Sequence, residues 1–374
     1  MRTRLLATAL AVVGVAVVTG LLAATQPVES VFPGENGKIA FSDSGGGTND
    51  LYVMEPDGSG VTQLTSDPNA DETFASWSAD STKVAFASSG LAGSDVKVIN
   101  ADGSGETNLT NDPATDNSSP AWSPDGTKIV FDSGRDGDQE VFVMNADGSG
   151  VTQLTDNPAS DGEPAWSPDG TKIAFTTNRD AAGNYEVYTM NPDGSDQTRL
   201  TVSDGIDWNA DWSPDSSQIV FVSSQIANPA DIYVMNADGS NVTQLTDHPG
   251  LQAKPAWSPD GTKIVFARDV NVQIDLFVMN ADGSDVTPIA AGAFDEQSPD
   301  WQALQVAPPP TATAPAPTTT VALPTTGEGG AASGGSATMW LAGALAAAVA
   351  LGAVALGAVA LGAAGFVALR LRRG

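Results

Sequence analysis

The chain has 374 residues, no cysteine and a formal net charge of −29, from 45 acidic and 16 basic side chains. The lack of cysteine excludes disulfides and thiolate chemistry. The negative charge excludes a general nucleic-acid-binding protein, which needs a basic face, and it favours cations or basic partners.

Residues 1–26 are predicted to form a secretory signal peptide. The basic start "MRTR" precedes the uncharged apolar run "LLATALAVVGVAVVTGLLAA", which is the order found in such signals. Cleavage is expected near Ala24, although the site is not a clean A-x-A, and an uncleaved membrane anchor is the alternative. Export does not require disulfides, because a large core is stable without them.

A repeat of about 45 residues occupies the middle of the chain. The stretch "AWSPDGTKIVF" at Ala121–Phe131 returns with one change at Ala165–Phe175 and unchanged at Ala256–Phe266. A sixfold period of this length is typical of four-stranded propeller blades. The repeat is marked by six phenylalanines and six tryptophans at matching intervals: Phe41, Phe86, Phe131, Phe175, Phe221 and Phe266, and Trp77, Trp122, Trp166, Trp212, Trp257 and Trp301.

Each repeat contains four short strand signals, which we name A to D. In the third repeat, "PAWS" precedes a Pro-Asp-Gly turn, "TKIVF" and "VFVM" follow, and "VTQLT" comes after "NADGS". β-Branched and aromatic residues fill the strands, and Asp-Gly marks the turns. No helical periodicity competes with these signals between residues 33 and 301, so the fold is predicted to be all-β.

The two ends of the array predict that it closes into a ring. The first repeat starts at strand B, "NGKIAF" (Asn36–Phe41), without a tryptophan-bearing strand A before it. After the last strand D, the chain supplies one more strand A, "SPDWQ" at Ser298–Gln302. Pairing of these two segments leaves no open sheet edge. The prediction is a six-bladed β-propeller over residues 33–302, closed by a blade of three strands plus one.

The sequences "AWSPDGTKIVF" and "VFVMNADGSGVTQLT" resemble the WD-like repeats of TolB-type β-propellers. The resemblance covers residues 33–302 and implies the propeller fold. It does not imply one function, because related propellers serve as scaffolds for partners, as gates and as enzymes.

Residues that recur in every repeat are interpreted as architectural. The Asp-Gly pairs of the C–D hairpins are predicted to be turn residues, since the later ligands of a calcium loop are missing. A carboxylate that begins every strand C is assigned a structural hydrogen-bonding role, and the tryptophans are assigned to the core or to wedges between blades. The six strand C carboxylates are Asp50, Asp95, Glu140, Glu186, Asp231 and Asp275.

A candidate ligand or cation rim is predicted where the D–A loops lead into the innermost strands. The last residues of these loops should surround the mouth of the central channel, on the face that also carries the variable B–C loops. Carboxylate oxygens suit Ca²⁺ or Mg²⁺; solvated acidity without a bound ion is the alternative. Lys254 is the one base among the acids of this rim, which are Asp71, Glu72, Asp116, Asp161, Glu163, Asp207, Asp211, Asp295, Glu296 and Asp300.

No catalytic residues are assigned. The single histidine, His248, lies in a predicted surface loop, no G-x-S-x-G elbow is present, and no α/β segment accompanies the repeats. Paired carboxylates for glycan hydrolysis or cleavage by a lyase remain the alternative, because acids crowd the predicted mouth. No cofactor is required, with Ca²⁺ as the one candidate ion.

The C-terminal segments predict display at a bacterial cell surface. A Pro/Thr-rich stalk at 303–322 leads to "LPTTG" (Leu323, Pro324, Thr325, Thr326, Gly327), a Gly/Ser-rich linker at 328–338, an apolar run at 339–369 and the basic tail 370–374. The run is long enough for a transmembrane helix, and the positive-inside rule places the tail in the cytoplasm.

This order of segments resembles the cell-wall sorting signal of Gram-positive surface proteins. The resemblance implies that a sortase cuts between Thr326 and Gly327 and joins the chain to peptidoglycan, although the distance from the motif to the apolar run is longer than usual. The alternative is a chance LPTTG before an ordinary membrane anchor. The overall prediction is a monomeric, surface-anchored binding module for a protein or polysaccharide, with the ligand at the variable loop face.

Overall fold

The computed structural model describes residues 34–45, 47–112, 115–181, 183–224, 229–271, 273–290 and 295–304. These residues form 24 strands in six four-stranded antiparallel sheets, without a helix among them. Each innermost strand contacts the innermost strands of the two neighbouring sheets, so the six sheets form a closed ring. The predicted six-bladed all-β propeller is confirmed.

The blades take their strands from the chain in order. Blade 1 contains β1 (Glu35–Asp43), β2 (Asp50–Met54), β3 (Thr62–Gln63) and β24 (Glu296–Leu304). Blade 2 contains β4 (Asp71–Trp77), β5 (Lys83–Gly90), β6 (Gly93–Asn100) and β7 (Thr107–Asn108). Blade 3 contains β8 (Asn117–Trp122), β9 (Lys128–Ser133), β10 (Glu140–Asn145) and β11 (Thr152–Gln153). Blade 4 contains β12 (Asp161–Trp166), β13 (Ile173–Ala181), β14 (Asn184–Met190) and β15 (Thr198–Arg199). Blade 5 contains β16 (Ile206–Trp212), β17 (Gln218–Ser224), β18 (Asp231–Asn236) and β19 (Thr243–Gln244). Blade 6 contains β20 (Gln252–Trp257), β21 (Lys263–Val270), β22 (Gln273–Asn280) and β23 (Thr287–Ala290).

The predicted signal peptide and the segments from the stalk to the basic tail lie outside the described residues, apart from the start of the stalk. Within the described ranges, no helix has the length and apolar character needed to cross a membrane.

The last strand closes the ring beside the first. β24 pairs antiparallel with β1, with Ile39 opposite Trp301. Side chains support the pairing, because the Ser42 hydroxyl donates to the carbonyl of Gln297 at 3.1 Å. β24 continues through Leu304, two residues beyond the predicted end of the propeller. Ala303 and Leu304 therefore belong to the closing strand and not to the stalk.

The repeated aromatic residues build the core between blades. The six phenylalanines of the period are at most 1% exposed. Trp77 packs with Leu51 and Val53 of blade 1 and with Val84 and Phe86 of its own blade. Trp77 is therefore a wedge between two sheets, as the recurrence of tryptophan predicted.

The Asp-Gly pairs form the C–D turns in all six blades. In blade 1 the Asp57 carboxylate accepts the Ser59 N–H at 2.9 Å, which is an Asx turn. Gly58 has a φ of +82°, and a Cβ there would lie 1.9 Å from the carbonyl oxygen of Ile289 in blade 6. The turn role is confirmed, and only glycine fits this contact.

Each innermost strand contains a bulge that directs one residue into the channel. The residue three positions before the tryptophan has a left-handed backbone in all six blades, with φ between 48° and 57°. In the five innermost strands β4, β8, β12, β16 and β20, the pairing with the neighbouring strand shifts register at this point. The bulge separates the residues before it from those after it, so the two groups face different surroundings.

Candidate functional site

A cavity of about 260 Å³ lies in the centre of the ring. Its lining runs along every innermost strand from the bulge residue to the A–B turn, so the cavity lies on the A–B turn side of the channel. Two rings of side chains define it. The floor ring consists of the bulge residues Phe74, Ser119, Glu163, Asn209, Lys254 and Ser298. The upper ring consists of the residues just before the tryptophans, namely Ser76, Ala121, Ala165, Asp211, Ala256 and Asp300.

An ion pair spans the floor ring. Lys254 Nζ lies 2.8 Å from Glu163 Oε1 and 4.5 Å from the centre of the Phe74 ring. Asn209 donates its side-chain amide and its backbone N–H to the same carboxylate. Burial disfavours ionisation of Glu163, but the Lys254 ammonium and the Asn209 hydrogen bonds outweigh it, so its pKa is lowered. The single lysine of the cavity is therefore already neutralised.

The upper ring carries two carboxylates that no cation neutralises among the described ion pairs. Asp211 Oδ2 accepts the backbone N–H of Trp257 at 2.8 Å, and Asp300 Oδ2 accepts the backbone N–H of Trp77 at 2.7 Å. Each carboxylate thus braces the next blade with one oxygen. The four other positions of this ring hold alanine or serine, which leaves the space between the two acids open.

Enclosure raises the pKa of both acids. Burial raises the pKa of Asp211 to about 6, against hydrogen bonds from the Trp257 and Trp212 backbones. Burial raises the pKa of Asp300 to about 7, and the charge of Asp211 adds to the effect. Two carboxylates that sense each other's charge in one cavity favour protons or a cationic ligand.

The structure separates the predicted rim residues into three groups. Glu163, Asp211 and Asp300 line the cavity together with Lys254. Three others lie at the start of an innermost strand or just before it: Asp71 accepts the Asn49 N–H, Asp295 accepts the Ile274 N–H, and the Asp116 backbone bridges to Ser94. The remaining four, Glu72, Asp161, Asp207 and Glu296, are at most 3% exposed.

The expectation that all ten acids surround one channel mouth is therefore wrong. Residues five positions before the tryptophan precede the bulge, and their side chains enter the interfaces between blades instead of the channel. The cavity also lies on the A–B turn side, opposite the variable-loop face where the mouth was expected.

Three of the strand C carboxylates accept hydrogen bonds from threonines of their own blades. In blades 2, 4 and 5, the threonine that follows strand D donates its hydroxyl to the strand C carboxylate: Thr110 to Asp95, Thr201 to Glu186 and Thr246 to Asp231. These contacts confirm the structural hydrogen-bonding role of those three carboxylates.

The interface between blades 3 and 4 brings two acids into contact. Burial raises the pKa of Glu140 to about 8, and the charge of Asp161 adds to the effect. Arg179 lies 2.7 Å from the other side of Asp161. A proton shared between the two carboxyl groups fits this arrangement.

The single histidine does not line the cavity. His248 Nδ1 accepts the Gly250 N–H at 3.0 Å, within its own loop. In the part of the chain that the structure describes, no three His, Cys, Asp or Glu side chains are grouped to hold a metal. The sequence analysis did not identify Phe74 and Ser76 as cavity residues. Their signal was their position three residues and one residue before Trp77, a spacing that every repeat shares.

The closed ring of six four-stranded sheets around a polar channel defines a six-bladed β-propeller. The family model described as PD40, TolB beta propeller domain, matches residues 104–228 and 211–305. The chain therefore belongs to the TolB β-propeller family. No curated protein matches the chain.

Solved structures with the same fold include TolB from Acinetobacter baumannii, at a TM-score of 0.64 and 20% identity over 72% of this chain and 68% of that chain. A putative TolB from Agrobacterium tumefaciens gives a TM-score of 0.58 and 23% identity over 70% of this chain and 91% of that chain. Hydrazine synthase of Kuenenia stuttgartiensis gives a TM-score of 0.62 and 16% identity over 73% of this chain and 48% of that chain. These similarities show the fold alone.

Proposed function

We propose that the propeller is a non-catalytic binding module for a protein or polysaccharide, and that the central cavity holds part of the ligand. The observation that carries the proposal is the pair Asp211 and Asp300, which face an open space while small residues occupy the rest of their ring. A cationic or hydroxyl-bearing group of a ligand fits between them. TolB-like propellers are commonly binding modules, which supports the same assignment.

In this proposal the propeller binds its ligand outside the cytoplasm. The signal peptide at 1–26 supports export, and "LPTTG" at 323–327 with the apolar run 339–369 supports anchoring by a sortase or by the membrane. The Pro/Thr-rich stalk, which begins after Leu304 and ends at 322, then holds the propeller away from the envelope, since Pro-rich segments are extended.

A second candidate is a carboxylate-dependent glycan hydrolase or lyase. The raised pKa of Asp300 would suit a general acid, and Asp211 is close enough to influence it. However, each acid uses one oxygen to hold a tryptophan N–H of the next blade. Ser76 holds the Trp122 N–H in the same way at 3.3 Å, which supports an architectural origin for both acids.

Binding and turnover can be separated with one set of variants. Asp211→Asn and Asp300→Asn should each weaken binding of cell-wall polysaccharides or basic peptides at least tenfold, because each removes a charge that faces the ligand. Asp204→Asn removes an exposed charge from a D–A loop and should leave binding unchanged. The measurement is the dissociation constant for each probe, with product analysis of the same glycans in parallel.

The unmodified protein should bind without releasing products. Glycan cleavage that disappears in Asp211→Asn or Asp300→Asn would instead establish the enzyme. Unchanged affinity in both variants would remove the cavity as the binding site.

A further inference from the structure

The carboxylate of Glu72 is buried without a hydrogen-bond partner of normal geometry. Its side chain is 0% exposed, and neither Oε1 nor Oε2 has a hydrogen bond of normal geometry. Burial raises its pKa to about 7, while the Thr65 hydroxyl nearby works in the opposite direction. A buried carboxylate in this condition is costly unless a proton or a cation compensates it.

A second carboxylate stands beside it across the interface of blades 1 and 2. The Glu72 backbone N–H donates to the Asn49 carbonyl at 2.8 Å, which places strand β4 next to the residue before Asp50. Asp50 Oδ1 is also buried without a partner, while Oδ2 accepts the Gln63 amide at 2.9 Å. Thr65 Oγ1 accepts the Leu51 N–H at 2.8 Å, and the Thr65 hydroxyl also acts on Glu72. The hydroxyl oxygen therefore lies at the interface with the two acids.

At three of the equivalent interfaces, the protein's own groups compensate one of the acids. Between blades 5 and 6, Gln252 takes the place of Glu72 and donates its amide to Asp231 at 2.5 Å. Between blades 4 and 5, Arg199 lies 2.6 Å from Glu186, and between blades 3 and 4 Arg179 neutralises Asp161. Between blades 2 and 3 the position is Asn117, which is neutral.

The interface of blades 1 and 2 has two acids, Asp50 and Glu72. It has no glutamine at the position of Gln252, and none of the described ion pairs joins an arginine to either acid. Lys97 is the basic residue that influences Glu72, but its ammonium is already bound to Glu106 at 2.7 Å. The other charged groups near the pair, Asp43 and Asp67, are acidic and influence Asp50. The local field therefore attracts a positive ion.

We propose that Asp50, Thr65 and Glu72 bind a divalent cation of the calcium class at the interface of blades 1 and 2. The Glu72 carboxylate can bind through both oxygens and Asp50 through Oδ1, while the second lone pair of Thr65 Oγ1 is available. Water completes the six to eight oxygen ligands that Ca²⁺ takes. The ion joins blade 1, in which the ring closes, to blade 2.

The test is Ca²⁺ binding by the full-length chain at pH 7.5 after treatment with a chelator. Equilibrium dialysis should find one Ca²⁺ per chain that depends on Glu72, and saturating Ca²⁺ should raise the melting temperature by about 5 °C. Glu72→Gln should abolish both effects and still fold, because Gln252 occupies the equivalent position in blade 6. Asp50→Asn should show the same loss.

Two controls locate the ion. Asp207→Asn changes the equivalent acid between blades 4 and 5 and should keep full Ca²⁺ binding. The double variant Asp211→Asn/Asp300→Asn should also keep it, which separates this site from the cavity. The proposal is overturned if the unmodified chain takes up no Ca²⁺, in which case Glu72 holds a proton, or if uptake survives in both Glu72→Gln and Asp50→Asn.

Discussion

Trp301→Ala is expected to lower the free energy of unfolding by about 3–5 kcal/mol, the usual cost of removing a buried tryptophan. Trp301 is 6% exposed and packs between Ile39 and Phe41 of blade 1 and Val265 of blade 6. In a closed ring the tryptophan of the final strand is as well packed as any other. The measurement is denaturant unfolding of the variant against the unmodified protein.

Trp257→Ala provides the matched comparison for this prediction. Trp257 is 7% exposed, packs between blades 5 and 6, and lies on a strand that is not involved in closure. The two variants should therefore lose similar stability. A much smaller loss for Trp301→Ala would mean that the final strand frays and that the array is open.

Glu140→Gln is expected to make the protein more stable at pH 8.5 and to flatten its stability between pH 5 and pH 8.5. Because the pKa of Glu140 is raised to about 8 in the folded state, the folded protein holds this proton more tightly than the unfolded chain. The contribution of the protonated group is complete below the unfolded pKa of about 4.5 and is lost as the pH rises through about 8. At pH 8.5 the gain should be on the order of 2–4 kcal/mol.

The neighbours of Glu140 explain why glutamine should fit. Glu140 Oε1 accepts the Asn157 N–H at 2.7 Å, which a glutamine oxygen can also do. Oε2 and Asp161 Oδ1 are both buried without partners, so a glutamine amide can donate to Asp161. Asp136→Asn, on an exposed loop of the same blade, should leave the pH profile unchanged. Melting curves across the pH range, recorded with a chelator, test this; parallel profiles for Glu140→Gln and the unmodified chain would contradict it.

The fold was predictable because its signals are repeated. The spacing of tryptophans and phenylalanines predicted the number of blades, and the unmatched "SPDWQ" predicted where the ring closes. The end of β24 was missed by two residues because Ala303 and Leu304 carry no strand pattern of their own. They are ordered by pairing with Glu35 and Asn36, a contact between the two ends of the propeller.

The site was predictable only in part. The sequence places the acids near the start of each innermost strand, but it does not show the bulge that divides them. Glu163 and Asp211 reach the cavity because they lie at or after the bulge, whereas Glu72 and Asp161 precede it and enter the blade interfaces. The left-handed residue at the bulge is Phe, Ser, Glu, Asn, Lys and Ser in the six blades. Residue type therefore does not predict the position of the bulge.

The most direct test of the account is a cross-link between the first and last strands. Glu35 and Leu304 are opposite each other in the β1–β24 pair, and the natural chain has no cysteine to interfere. In Glu35→Cys/Leu304→Cys, oxidation should form an intramolecular disulfide in the monomer, seen by mass spectrometry as the loss of two hydrogen atoms. Thiols that stay free under oxidation, or that join separate chains, would contradict closure of the ring and with it the cavity at its centre.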